Sequence, residues 1–188
     1  HRPCSRLNRT ALQDLTFWAE FSNLHPDNGV PLFQSATSKV LYTDASGGIG
    51  WGGVLPTEHD RRALCRARAR MPHATARELH SAAGIQCPAY LHPASNTCAG
   101  YWDTDLMDLH VTWKELRAFH RAIRVWGQQL SHARVLLFCD NQAVCSLLKH
   151  GTSRSPLLMA ELRVVWKLLV ELKIKIDPVY IKSEDNPA

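Results

Sequence analysis

Tyr42-Thr43-Asp44-Ala45-Ser46-Gly47-Gly48-Ile49-Gly50-Trp51-Gly52-Gly53-Val54-Leu55 holds the outline of the fold. Val40 to Asp44 is a short β-prone run, Gly47-Gly48 supplies a turn, and Gly50 to Leu55 returns as a second, antiparallel strand. The residues that follow Asp44 are small, so a bulky phosphate backbone has room to approach its carboxylate; a purely structural turn needs no such clearance.

Downstream, Pro56 to Cys98 changes character, with Arg61, Arg62, Arg66, Arg68, Arg70 and Arg77 set against Glu58, Asp60 and Glu78 among many alanines. It reads as an insertion at 56–98, partly helical at best and outside the core. Ala99 to Asp103 resumes as a third strand. From Thr112 to Leu130, Leu116, Phe119, Ile123, Trp126 and Leu130 recur at helical spacing, and Thr112 with Glu115 forms a capping-box pattern. Arg134 to Cys139 is a continuous apolar run suited to a strand buried on both faces, and it stops at Asp140-Asn141. A short helix ends at Gly151. Leu158, Leu162, Val165, Leu169 and Leu172 make another helical stripe, and Ile174 to Ile181 is a last strand interrupted by Pro178. Upstream, Leu7 to Leu24 carries Leu12, Leu15, Trp18, Ala19 and Phe21 on a helix that ends in the breaker His25 to Gly29. An antiparallel hairpin followed by βαβ crossovers predicts an α/β fold, a mixed sheet flanked by helices.

At 188 residues and 45% hydrophobic composition, the chain buries one good core with flanking pieces, and two full domains would be crowded. A net charge of +5 suits a partner with a phosphate backbone, although equally basic proteins without one are common. The six cysteines show no dense framework, which fits reduced, buried thiols in an intracellular protein, cytoplasmic or nuclear. Cys87, His92 and Cys98 lack the paired Cys-x-x-Cys of a zinc site and read as loop residues. No apolar run approaches a membrane span, no secretory leader is evident, and His1 in place of an initiator methionine reads as a processed chain or one cut from a longer polypeptide.

Asp44 ends the first strand, Glu115 opens the main helix, and Asp140 ends the buried strand. Singly, each has a bland reading as turn former or helix cap. Together they stand where a sheet presents side chains at one edge, and several carboxylates converging from different elements are what a site for hard divalent cations requires.

Four blocks carry a resemblance: Tyr42-Thr43-Asp44-Ala45-Ser46 with Gly50-Trp51-Gly52, Trp113-Lys114-Glu115-Leu116-Arg117-Ala118, Phe138-Cys139-Asp140-Asn141, and Ser183-Glu184-Asp185-Asn186-Pro187-Ala188. In order and spacing they resemble the type 1 ribonuclease H family. The flavour is similar to reverse transcriptases of the DIRS group of retrotransposons, where Gly151 to Pro156 is also familiar. The resemblance runs from about Leu7 to Ala188 apart from 56–98. It implies a ribonuclease H-like mixed five-stranded sheet, with 1–39 as a connection segment bearing one helix and 40–188 as the nuclease domain. It makes Asp44, Glu115 and Asp140 the catalytic ligands of two Mg²⁺ ions, replaceable by Mn²⁺, that cut the RNA strand of an RNA/DNA hybrid. Contacts to the hybrid are expected from Ala45, Ser46, Gly47, Asn141 and Arg154, and the polymerase domain of the same polyprotein is the expected partner. The family also has a fourth carboxylate directly after a block like Asn186-Pro187-Ala188, on or before a final helix; Asp185 precedes that block and substitutes poorly, so residues 1–188 are expected to lack both that acid and the final helix and to be poor or inactive as an isolated nuclease. A non-catalytic connection domain of the same fold is the alternative, disfavoured by the presence of all three acids. A transposase or integrase core would need a different acid spacing and a late Glu.

Overall fold

The computed structural model describes residues 8–24, 36–85 and 96–188. The chain divides into two compact units, His1–Gln34 and Ser35–Ala188. In the first, helix α1 (Arg9–Leu24) starts where the Asn8 side chain accepts a hydrogen bond from the Ala11 amide at 2.8 Å. The breaker expected at His25 to Gly29 lies outside the described residues.

The second unit is an α/β layer structure around a mixed five-stranded sheet, as expected. Strands β1 (Lys39–Ala45), β2 (Gly50–Val54), β3 (Thr97–Tyr101), β4 (Arg134–Cys139) and β5 (Lys175–Tyr180) lie in the order β3-β2-β1-β4-β5. The β1–β2 and β2–β3 pairs are antiparallel, and β1–β4 and β4–β5 are parallel. The apolar run of β4 occupies an inner position with a layer on each face, which is why all its residues after Arg134 are buried. On one face, Leu41, Leu137 and Cys139 meet Leu116, Phe119, Ile123 and Trp126 of α4 (Val111–Leu130), Val144 of α5 (Gln142–His150) and Leu162 of α6 (Pro156–Glu171). On the other, the alternate residues Val40, Tyr42, Leu136, Phe138 and Val179 form a second core.

That second core is closed by the stretch expected to stand outside it. Residues 58–83 form α2 (Glu58–Arg70) and α3 (Ala76–Ala83), whose Leu64, Ala67, Ala76 and Leu79 pack on the sheet. Both helices have ordinary start signals: Thr57 accepts from the Asp60 amide, Thr75 and Glu78 form a reciprocal capping box, and Gly84 ends α3 at φ 71°. The arginines also have partners. Arg68 makes a bidentate pair with the largely buried Asp177 of β5, at 2.8 Å from both Nε and Nη2, and Arg61 and Arg62 grip Glu58. Leu64 is fully buried, so Leu64→Ala is expected to lower stability by about 2–5 kcal/mol. Chemical denaturation of the two proteins measures this, and a loss under about 1 kcal/mol would return α2 to the status of a tolerated surface loop. Cys87 and His92 lie outside the described residues.

Two further local expectations change. The cap of α4 is His110, whose ring accepts from the Thr112 amide, so the helix begins earlier than a Thr112 cap requires and Glu115 is released from capping. Strand β5 runs unbroken through Pro178. The amides of Lys175 and Ile181 bond to Ala133 and Cys139, so odd-numbered residues face β4, and the nitrogen of Pro178 faces the free edge, where no ladder bond is lost. Among the described residues, no helix is long and apolar enough to cross a membrane.

Candidate active site

The parallel register sets Thr43 beside Cys139, so the next residues, Asp44 and Asp140, leave neighbouring strands side by side. Helix α4 lies on β1 and brings in the third acid: Glu115 Oε1 accepts from the Ala45 amide at 3.1 Å. The three sequence-selected carboxylates thus stand at one sheet edge, close enough to perturb one another. Glu115 is only 3% exposed. Burial, reinforced by the charges of Asp140 and Asp44, pushes its carboxyl up to about 9. Burial and then Asp140 also raise Asp44, against the lowering effect of its backbone hydrogen bond with Ala45.

One ligand atom each from Glu115, Cys139 and Asp140 lie within 4.8 Å of one another. Asp140 Oδ2 accepts from Ser183 Oγ at 2.6 Å, Asp140 Oδ1 is buried away from every amide and hydroxyl donor, and the Glu115 carboxyl is within hydrogen-bonding reach of the Asp140 side chain. The Cys139 thiol is pushed well up, first by its hydrogen bond with Cys145 and then by burial, so it stays protonated and leaves an oxygen donor set. A buried carboxylate oxygen with no amide or hydroxyl donor, among mutually repelling acids, fits a hard divalent cation, which would relieve both problems.

The turn after Asp44 is built from within. Ser46 Oγ accepts from the amides of Ile49 and Gly50, each at 2.8 Å, and the Trp102 indole donates to Ser46 O at 2.9 Å. Lys114, 1% exposed, donates from Nζ to the carbonyls of Gly47 and Met107, tying the turn to the segment before α4. Neither Lys114 nor Ser183 was identifiable from the sequence, because both act through loops whose proximity only the tertiary structure creates. Ala45 and Ser46 already spend their polar groups on Glu115 and on the turn. Gly47 and Gly48, by contrast, border open space, since an added Cβ at either would meet nothing within 4 Å. Asn141 is the cap of α5, its Oδ1 accepting from Ala143 at 3.0 Å and Val144 at 3.2 Å, with Nδ2 3.5 Å from Thr112 Oγ1. Arg154 is exposed in the loop between α5 and α6. Beside Asp44 an open cavity of about 420 Å³ runs over Gly50, Trp51 and Gly52 towards Tyr101, which is 82% exposed.

Clustered carboxylates at the end of adjacent strands, beside an open cavity, define a candidate centre for metal-assisted chemistry on an anionic substrate. No family model matches the chain, and no curated protein matches it. Among solved structures it is similar to LC11-RNase H1, a crystal structure in complex with an RNA/DNA hybrid, with 17% identity and a TM-score of 0.49 over 78% of this chain and 87% of that one.

Proposed function

We propose that this chain is a ribonuclease H that hydrolyses the RNA strand of RNA/DNA hybrids, working as part of a reverse transcriptase polyprotein of the DIRS-like group, beside its polymerase domain in the cytoplasm or nucleus. The observation that carries this reading is the convergence of three acids from three elements: Glu115 and Asp140 share one tight donor cluster, and Asp44 stands near enough for its charge to raise the Glu115 carboxyl.

Asp44, Glu115 and Asp140 are the residues that would hold two Mg²⁺ ions, with Mn²⁺ able to substitute. Bound there, such ions supply Lewis acidity for a phosphate and lower the pKa of water. Glu115 is oriented by the Ala45 amide and Asp140 by the Ser183 hydroxyl, so two of the three acids are held before substrate arrives. The open flank of Gly47 and Gly48 lets a backbone approach Asp44, and the exposed Arg154 offers a phosphate contact. Contacts to a 2′-hydroxyl from the open Gly47 flank and from Asn141 Nδ2 would select RNA on the cleaved strand.

Incubation with end-labelled RNA/DNA, RNA/RNA and DNA/DNA duplexes, in Mg²⁺ and in EDTA, tests the reading. Cleavage is expected only of the RNA in the hybrid and only with metal. Hybrid binding without cleavage in Mg²⁺ or Mn²⁺, persisting when residues after Ala188 are supplied, would instead make this a connection-type binding domain.

A further inference from the structure

Beyond β5 the backbone continues the β4 ladder with one more bond, from the Ile181 amide to Cys139 O at 3.1 Å. That bond fixes where the following 3-10 turn, Ser183–Asp185, sits. The turn is tied to both acid-bearing strands. Ser183 Oγ donates to Asp140 Oδ2 at 2.6 Å, just past β4, and Asn186 Nδ2 donates to Thr43 O at 3.0 Å, next to Asp44 on β1. Gly52 makes room for the tail, since a Cβ there would stand 3.2 Å from the main-chain carbon of Ala188.

The Asp140 side chain is not a helix cap, because Asn141 caps α5, and apart from the neighbouring Glu115 carboxyl its one hydrogen-bonding partner among the described residues is Ser183. A carboxylate at a strand end has a broad last torsion, and the Ser183 hydroxyl on Oδ2 fixes it, holding the Asp140 carboxylate in the cluster with Glu115.

We propose that Ser183 is a positioning residue for the metal centre: its hydroxyl locks the Asp140 carboxylate in the orientation that binds a divalent cation. The role rests on the metal-site reading above, but not on the identity of the substrate. Groups that orient a metal's ligands this way typically account for about 10–100-fold in metal affinity.

The test is Mn²⁺ binding to the full chain, by titration calorimetry and by the rise in melting temperature, for wild type, Ser183→Ala, Ser183→Thr and Asp140→Asn. Ser183 is exposed, so removal of its hydroxyl leaves the metal-free melting temperature in place. The expected result is a Mn²⁺ dissociation constant about tenfold higher in S183A, restored by S183T, and no binding step in D140N. In S183A any hybrid cleavage should return to the parental kcat at high metal with an unchanged KM for hybrid. Equal Mn²⁺ affinity in wild type and S183A overturns the proposal, as does absence of Mn²⁺ binding by wild type. Mn²⁺ binding that weakens in S183A in a protein that cleaves no hybrid leaves the positioning role standing and removes the nuclease reading.

Discussion

Asp140→Asn is expected to abolish hybrid cleavage, a loss on the order of 10³-fold or more, while the protein stays folded. The change is nearly isosteric and removes a negative charge from the cluster with Glu115 and Cys139. An amide oxygen is a weaker ligand for a hard cation than a carboxylate, so the site loses both charge and affinity. The Ser183 hydroxyl still finds an acceptor in the amide oxygen, which keeps the local geometry and separates ligand loss from misfolding. Single-turnover rates in saturating Mg²⁺, with circular dichroism as the control for folding, decide the matter. A mutant within tenfold of the parent would take Asp140 out of the mechanism.

Glu115 gives the largest expected effect on stability, and its sign depends on metal. Its folded pKa of about 9 stands above the ordinary 4.5, so the folded protein holds a proton that the unfolded chain releases. That contribution is fully present below about pH 4.5 and is lost as pH rises towards about 9, with a slope approaching ~1.4 kcal/mol per pH unit in between. In EDTA the parent should therefore melt at progressively lower temperature from pH 5 to pH 9. Glu115→Gln keeps an acceptor for the Ala45 amide and cannot ionise, so it should flatten the profile and melt above the parent at pH 8. With Mn²⁺ the order reverses, because cation replaces proton on the parental carboxylate and gains affinity as pH rises. A parental melting temperature that does not change with pH in EDTA would mean that Glu115 ionises freely and that the three acids do not confine one another.

Much of this arrangement was legible in the chain because it is written in local periodicity. The apolar run of β4 and the stripe of Leu116, Phe119, Ile123 and Trp126 required only counting. The layer formed by α2 and α3 was not legible, since its buried face is made largely of alanines with a single leucine per helix, and the arginines between them look like a solvated coil until Asp177 is placed opposite Arg68. Thr112 and Glu115 matched a capping pattern, but His110 takes the cap and leaves Glu115 for the cluster. Asn141, expected to contact the hybrid, also has a local duty not expected from the sequence: its side-chain oxygen caps the start of α5. The three acids were identifiable because strand ends and helix starts are local features. Ser183 was not, because its meeting with Asp140 depends on the register of β5 against β4.

Pro178 has a meaning for the protein in company with other chains. The outer rim of β5 is exposed at Lys175 and Tyr180 and covered at Asp177 to Val179, and an uncovered sheet rim templates pairing with any extended segment that drifts past. At its midpoint this rim has a pyrrolidine ring in place of an amide, flanked by the outward nitrogens of Ile176 and Tyr180. An incoming strand could find no central bond there even if the cover over Asp177 to Val179 were lifted. Sheet-to-sheet stacking of copies through this side is thereby discouraged at a crowded concentration, with no cost to the inner ladder, and the opposite rim at β3 is left as the more permissive side for intermolecular pairing.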